Sequence, residues 1–415
     1  MKPTPYTFAL VSFTGTARVH GSFTPTSRGS LTDVKVFHCD HCGALVFFEN
    51  SRCVACGHAL AFLPEPFVMG SLEQVNEQEW VSPIAATNGR KYRLCSNYVE
   101  RDNCNWAVGS EDGQALCYSC RLTTVIPDLD VPGQLTALYK LESAKRRLVY
   151  SLLQLALPLQ TKAEDPDHGL AFEFRAPTAD AEPVLTGHDN GVITINVEEA
   201  DDAEREKRRN QLHEPYRTLL GHLRHEVGHY YWDRLIANGD RLAAFRELFG
   251  DEQLDYAGAL KLHYENGAPA DWQERFVSAY SSSHPWEDWA ETWAHYLHMA
   301  DTLDTAAACG LMLKPRRKDE PSMKSAPADA SDFQRLIDAW YPLTYVLNNL
   351  NRGLGQSDAY PFVLSAPAVA KLRFVHETIL AHASARRQHS ASSLGDGGSE
   401  ALSRPPSPGL RPTSP

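Results

Sequence analysis

The most informative stretch of this 415-residue chain is LLGHLRHEVGHYYW, at residues 219–232. It contains an H-E-x-x-H motif made of His225, Glu226 and His229, and apolar residues recur around the motif at helical spacing. Residues four apart on a helix share one face, so the two imidazoles can bind one zinc ion. Glu226 can then act as general base toward water beside the metal. The competing interpretation is an ordinary helix that happens to carry two histidines.

Gly228 favours the metal site over that ordinary helix. Glycine inside a helix costs about 1 kcal/mol relative to alanine. Its presence between the two motif histidines therefore predicts that another part of the chain approaches closely at this point.

The third zinc ligand must come from elsewhere, because the extended motif H-E-x-x-H-x-x-G-x-x-H is not completed. The best source is HPWEDWAETWAHYLH at residues 284–298, where tryptophans recur at helical spacing after a proline. Glu287 is the preferred ligand, and Glu291, one turn later, would orient a ligand histidine. An acidic first helical turn explains Glu287 alone but not two glutamates in phase. Other candidates for the third ligand are Glu291 itself and the histidines His284, His295 and His298.

Eight of the nine cysteines form two sets of four. The first set has the C-x2-C-x10-C-x2-C spacing of a zinc ribbon, and the second can close another tetrathiolate site. Four protein ligands leave no position for water, so both zinc ions would be structural. Gly43 and Gly57 follow C-x-x-C pairs and favour the tight turns that such sites need. The two sets are Cys39, Cys42, Cys53 and Cys56, and Cys95, Cys104, Cys117 and Cys120.

Other chemistry for these cysteines remains open at this point. Disulfides would need an oxidising compartment, a redox C-x-x-C would not require four pairs, and an iron–sulfur centre could use the same thiolates. Ligand pairing crossed between the two sets is a further alternative. Four thiolates complete each site, so His38, His41 and His58 are expected to be spectators, and Cys309 is expected to be an unligated thiol.

The segment around Glu287 resembles a known group of zinc peptidases. Glu287-x-x-Ala290-Glu291 is similar to the E-x-x-A-E helix of the gluzincin-like peptidases related to anthrax lethal factor and the Mlc titration factor. The resemblance implies that Glu287 binds zinc and that Glu291 supports the site. It also implies that Tyr280, seven residues before Glu287, helps to stabilise the oxyanion.

Residues 34–380 also resemble a bacterial family of zinc-binding metallopeptidases that carry N-terminal zinc ribbons. The resemblance rests on the cysteine pairs, on H-E-x-x-H followed by Tyr-Tyr-Trp, on the Glu287 helix and on the run LNNLNR at residues 347–352. It implies a peptidase fold without a particular substrate.

The charge of the cysteine-rich region disfavours nucleic acid as its partner. Residues 34–124 contain seven Lys/Arg and ten Asp/Glu, a net charge of −3. Two tetrathiolate zinc units would bring this to about −7, whereas nucleic-acid modules are usually basic. The whole chain has a formal net charge of −12, and no apolar run approaches the ~20 residues of a membrane span. We therefore expect a cytoplasmic protein whose partner is a peptide or protein substrate.

Composition and periodicity divide the chain into an ordered centre and two weakly patterned ends. We expect a disordered extension at 1–33, a tandem zinc-ribbon region at 34–124, a zincin-like domain at 131–383 with a flexible insertion near 303–330, and a disordered tail at 384–415.

The pattern also predicts individual elements of the zincin-like domain. Helices are expected at 131–158, 333–350 and 368–382, with a charged helix or lead-in at 198–210. Strands are expected at 170–174 and 191–197, and residues 192–197 are the candidate for an exposed sheet edge that binds substrate. His188 and His213 are expected to be surface or capping residues.

The sequence therefore predicts an α+β protein, with a small β-rich zinc-ribbon module before a mainly helical metallopeptidase domain with a small sheet. It would hold one catalytic and two structural Zn²⁺ ions and would hydrolyse peptide bonds. The alternative is a non-catalytic zinc-ribbon scaffold whose peptidase-like domain binds a protein without cutting it.

Overall fold

A computed structural model describes residues 35–177, 184–212, 218–326 and 331–395. The predicted extension at 1–33, His213 and residues 396–415 lie outside this part of the chain. The strands are β1 Phe37–His38, β2 Leu45–Val46, β3 Ala59–Leu63, β4 Val68–Gln74, β5 Trp80–Val81, β6 Lys91–Leu94, β7 Ala107–Gly109, β8 Thr123–Val125, β9 Ala171–Arg175, β10 Gly187–Asp189 and β11 Val192–Asn196.

Helices dominate the second half of the described chain. They are α1 Ser96–Arg101, α2 Tyr118–Arg121, α3 Gln134–Gln154, α4 Asp202–Leu212, α5 Leu219–Leu235, α6 Leu242–Phe249, α7 Tyr256–Asn266, α8 Pro285–Ala308, α9 Phe333–Gly353 and α10 Ala366–Gly395. A β-rich, cysteine-rich region thus precedes a largely helical domain with a small sheet, which confirms the predicted α+β class.

Antiparallel strands build the cysteine-rich region. β1 pairs with β2, and β3 to β7 form one sheet in chain order. Gly43 and Gly57 have φ of 75° and 79°, the left-handed turns that their positions predict. Phe48 contacts Tyr150 of α3, with ring centroids 5.2 Å apart. The hydrophobic core therefore continues from this region into the helical domain.

The second sheet has the order β8-β9-β11-β10. β9 pairs in parallel with both β8 and β11, whereas β10 pairs antiparallel with β11. The prediction that residues 192–197 form the exposed edge is wrong, because β10 covers that strand. Asn190 and Gly191, with φ of 43° and 79°, make the tight turn that folds β10 back. Within the described residues, β10 is therefore the sheet edge on this side.

Three element boundaries differ from the predicted ones. α3 is shorter than 131–158 because Gly133 before it and Ala156 after it adopt left-handed φ of 92° and 54°. α8 continues to Ala308 and buries Leu303, so the expected insertion near 303–330 begins as helix. α10 continues to Gly395, past the predicted start of the tail at 384.

The charged lead-in predicted at 198–210 becomes a 3-10 turn, Val197–Ala200, followed by α4. Glu199 within this turn is buried, although the sequence pattern indicated a solvated segment. Among the described helices, none combines the length and the apolar character needed to cross a lipid bilayer.

Candidate metal centre

Helix α5 places both motif histidines on a buried face. Thr218 caps the helix by accepting a hydrogen bond from the backbone N–H of Gly221. His225, Glu226 and His229 are all buried along the face that packs on α8. Their position in the core, rather than on a solvated helix face, disfavours the interpretation of a chance pair of histidines.

Helix α8 carries the acidic half of the site. His284 caps it by accepting the backbone N–H of Trp286 through Nδ1, and Pro285 occupies the first turn. Trp289 and Trp293 are fully buried and hold the helix against α5. Trp289 Nε1 also donates to the carbonyl oxygen of Gly228 at 2.8 Å, which fixes the relative position of the two helices.

Gly228 lies where α5 and α8 approach each other closely. A Cβ atom at this position would lie 3.0 Å from the Cα of Ala290 and 3.2 Å from its carbonyl oxygen. Any side chain would therefore push the helices apart, which explains the glycine inside the H-E-x-x-H motif. This contact brings the histidines of one helix to the glutamates of the other.

His225, His229 and Glu287 converge on one point. Their ligand atoms all lie within 4.8 Å of one another. Glu287 Oε2 lies 3.0 Å from His225 Nε2, and Glu287 Oε1 lies 3.5 Å from His229 Nε2. Zinc bonds of about 2.0–2.1 Å in tetrahedral geometry place neighbouring ligand atoms about 3.4 Å apart. The side-chain set therefore fits zinc and leaves one coordination position for a non-protein ligand.

Hydrogen bonds orient the candidate ligands. Glu291 Oε1 accepts from His225 Nδ1 at 2.8 Å, and Glu291 Oε2 accepts from Ser278 Oγ at 2.6 Å. The hydroxyl of Tyr256 donates to Glu287 Oε1 at 2.6 Å. Glu291 thus takes the supporting position that the sequence suggested, whereas Ser278 and Tyr256 were not identified from sequence.

The three alternative histidine ligands lie elsewhere. His284 Nε2 faces the carbonyl oxygen of Leu254 at 3.2 Å, and His295 Nδ1 contacts the hydroxyl of Tyr360 at 2.7 Å. Burial lowers the pKa of His295 to about 4 and the pKa of His298 to about 3. His295 and His298 are therefore neutral core imidazoles, and all three histidines lie outside the converging set.

The carboxylates of the site remain ionised despite their burial. Burial raises the pKa of Glu287, but the charge of His229 and hydrogen bonds from both ligand histidines hold it well below its usual range. Burial likewise raises the pKa of Glu291, yet His225 brings it to about 2. Burial raises the pKa of Glu226 as well, but the hydrogen bond from His222 and the charges of the neighbouring histidines together lower it. This concentration of negative charge favours a divalent cation.

Tyr280 lies beside the converging ligands, with its ring centroid 6.0 Å from that of His225. Burial and the charge of Glu287 raise the pKa of Tyr280 well above its usual range, so its hydroxyl keeps its proton. Tyr280 is therefore a neutral phenol beside the site, and it also has a side-chain hydrogen bond with Tyr264.

Two further histidines lie close to the candidate ligands. The side chain of His188 is only 2% exposed, so of its two predicted roles, surface or capping residue, the structure supports the second. It does act as a turn cap, accepting the backbone N–H of Gly191 at 2.9 Å. His222 was not singled out from sequence, yet its Nε2 lies 3.1 Å from Glu226 Oε1. Its spacing of four residues before Glu226 on the same helix was the available signal.

The two cysteine sets form separate sites. All ligand sulfurs of one set lie within 4.8 Å of one another, without mixing between the sets. Closest Sγ–Sγ separations are 3.6–3.7 Å. A disulfide would need about 2.05 Å, whereas Zn–S bonds of about 2.3 Å in a tetrahedron give about 3.8 Å. The geometry therefore fits two tetrathiolate metal sites and disfavours crossed pairing.

The remaining cysteine and the neighbouring histidines lie outside these sets. Cys309 is exposed, and the rings of His41 and His58 stack on each other with centroids 3.6 Å apart. His38 lies in β1 with an exposed side chain. Their roles as spectators remain predictions.

Tyr256→Phe is expected to weaken zinc binding at the His225–His229–Glu287 site by about 10–100-fold, because it removes the hydrogen bond that orients Glu287. Competition with a soluble chelator would measure the affinity of this site. Tyr341→Phe, at an exposed tyrosine of α9, is the matched control. Equal affinities for both variants would contradict a supporting role for Tyr256.

Comparison with known proteins agrees with this geometry. Residues 134–378 match the model of a family described as "Putative zinc-binding metallo-peptidase", and residues 36–131 match a zinc-ribbon domain. Proteins of Mycobacterium bovis and of two Mycobacterium tuberculosis strains, each named as an uncharacterized protein, are 45% identical over 344 residues. The match covers 83% of this chain and 94% of each relative. No solved structure gives a significant match. The chain therefore belongs to this zinc-binding metallo-peptidase family with an N-terminal zinc ribbon.

Proposed function

We propose that this protein is a zinc-dependent metallopeptidase in which His225, His229 and Glu287 hold the catalytic ion. The observation that carries the proposal is the convergence of these three ligands beside the buried carboxylate of Glu226. Three protein ligands leave one coordination position open, which is characteristic of catalytic zinc sites. A purely structural site would close the fourth position with a side chain.

When bound, zinc would lower the pKa of water toward ~7 and polarise the peptide carbonyl. Glu226 accepts the proton that water loses as it attacks the carbonyl carbon, and passes it to the leaving amine. Tyr280 donates a hydrogen bond to the carbonyl oxygen as negative charge develops there. Glu291 holds the ring of His225, and Tyr256 holds the carboxylate of Glu287.

We further propose that an extended peptide binds along β10. This edge strand lies against α5, and its His188 ring centroid is 6.3 Å from that of His229. A groove lined by Thr186, His188 and Thr194 follows the strand. Pairing of the substrate backbone with a sheet edge would present successive peptide bonds to the metal.

The zinc-ribbon region is proposed to contact protein. Leu45, Phe47 and Val54 expose 69%, 76% and 82% of their surface around the first cysteine set. The net charge of −3 between residues 34 and 124 disfavours a polyanionic partner. The ribbons would thus contribute to recognition of a protein substrate, or serve a scaffold if the protein cuts nothing.

Metal content tests the proposed site directly. Elemental mass spectrometry of the wild type is expected to give about three zinc ions per chain, and His229→Ala about two, because the variant loses one of three catalytic ligands. His168→Ala, at an exposed histidine, should keep the wild-type content. Two ions in both wild type and His229→Ala would exclude a tightly bound catalytic metal and favour the scaffold.

A further inference from the structure

His222 links the Glu226 carboxylate to a second buried carboxylate. Its Nε2 lies 3.1 Å from Glu226 Oε1, and its Nδ1 lies 2.6 Å from Glu199 Oε2. The side chains of Glu199 and Glu226 are 1% and 6% exposed. The H-E-x-x-H motif does not require this imidazole, and the reaction described above does not use it.

Hydrogen bonding by His222 restricts the orientation of Glu226. Ionised carboxylates only accept hydrogen bonds, so the ring donates from both nitrogens when it bonds both of them. Such charge-assisted bonds are stronger than those between neutral groups. With Oε1 of Glu226 engaged by His222, its Oε2 remains to accept a proton from water. The imidazole therefore selects which oxygen of Glu226 serves as base.

Glu199 is itself firmly held. Its Oε1 accepts from the hydroxyl of Thr186 at 2.8 Å, and its backbone oxygen accepts from the guanidinium of Arg205 at 2.6 Å. Glu199 lies in the 3-10 turn Val197–Ala200, which directly follows the sheet strand β11. The position of His222 is thus set by the sheet as well as by its own helix.

We infer that His222, held by Glu199, is a positioning residue that fixes Glu226 for proton transfer. The inference rests on the proposed peptidase function. The competing explanation is that the three side chains merely tie the 3-10 turn to α5. If that explanation were right, breaking the contact would lower folding stability. It would not lower kcat selectively while leaving KM unchanged.

Two substitutions at His222 separate these explanations. His222→Leu removes both hydrogen bonds, whereas the amide of His222→Gln reaches about as far as the ring and still donates to Glu226. In the zinc-loaded full chain, His222→Leu is expected to lower kcat by about 10–100-fold with KM nearly unchanged. His222→Gln should recover most of the lost kcat. Equal losses in both variants, or losses that follow thermal stability, would overturn the inference.

A second readout does not depend on catalysis. Acetohydroxamate chelates zinc-site metals and gives up a proton to a neighbouring base, whereas azide binds metal without a proton. Visible absorption of the cobalt-substituted protein would report both. His222→Leu should bind acetohydroxamate about tenfold more weakly and azide equally well. Unchanged acetohydroxamate binding would overturn the inference. If His222→Leu bound acetohydroxamate more weakly but the wild type cleaved no peptide, the positioning role would be supported and the proposed peptidase function refuted.

Glu199→Gln provides a variant that keeps the ring in place. Its amide oxygen still accepts from His222, but the negative charge is lost, so a fall in kcat of about three- to tenfold is expected. Glu198→Gln changes the exposed neighbouring carboxylate and should have no effect. Equal kcat values for the two variants would show that the charge of Glu199 plays no part.

Discussion

Glu226→Gln is expected to lower kcat/KM for peptide hydrolysis by about 10²–10⁴-fold while the zinc content stays unchanged. Glutamine has nearly the same shape as glutamate but cannot accept a proton from water at neutral pH. Glu226 is not among the converging ligands, so the metal set of His225, His229 and Glu287 remains complete. Cleavage of fluorogenic peptides, together with elemental analysis of the same samples, would measure both quantities.

The matched control is Glu247→Gln, which makes the same chemical change at an exposed position of α6. It should retain wild-type activity and zinc. Full activity in Glu226→Gln would refute the role of Glu226 as general base. Loss of zinc together with activity would mean that the substitution acts by disturbing the metal site.

The local part of the site could be predicted from sequence. His225, Glu226 and His229 follow from helical periodicity, because residues four apart on one helix must share a face. Glu287 and Glu291 follow from the same rule on a second helix. The glycine at 228 even indicated where the two helices meet, since its cost inside a helix needs a packing reason.

Contacts between distant segments could not be predicted in this way. Tyr256 reaches Glu287 across 31 residues, and Glu199 reaches His222 across 23, with no periodicity connecting either pair. Such pairs depend on how loops and helices pack in three dimensions. Of the two contacts that link Glu199, His222 and Glu226, only the one between His222 and Glu226 has a helical spacing that the sequence reveals.

The position of β10 at the sheet edge could not be predicted from sequence either. The run GHDNG at residues 187–191 consists largely of residues typical of turns, so its composition gives no sign of a strand. In the structure its first three residues form β10, and only Asn190 and Gly191 make the turn. A two-residue hairpin loop needs just those two positive-φ positions. A polar strand at the edge of a sheet has no alternating apolar residues, so the sequence pattern does not reveal β10.

Cys104→Ser is expected to have the largest effect on stability. Cys95, Cys104, Cys117 and Cys120 are all buried, whereas Cys42 of the first set is exposed. Structural zinc contributes about 10–16 kcal/mol of apparent binding free energy in zinc-finger peptides. Loss of one thiolate should therefore cost well over the ~1 kcal/mol of a typical substitution. Elemental analysis and thermal unfolding would show about one zinc ion fewer and a markedly lower melting temperature.

The second cysteine set is joined directly to the helical domain, so its loss should also affect the metal site there. Arg146 of α3 donates to the carbonyl oxygen of Asn103 at 2.8 Å, beside Cys104. β8 begins three residues after Cys120 and pairs with β9 of the sheet that ends in β10. Cys104→Ser should therefore also lower the zinc occupancy of the His225–His229–Glu287 site.

Two matched variants complete the Cys104→Ser test. Cys42→Ser, at the exposed cysteine of the first set, should lose one zinc ion while the helical domain stays folded, because that set lies outside the sheet that contains β8. Cys309→Ser, at an exposed thiol outside both sets, should change neither zinc content nor melting temperature. If Cys104→Ser behaved like Cys309→Ser, the four buried thiolates would not hold a structural metal, and side-chain packing alone would stabilise the junction.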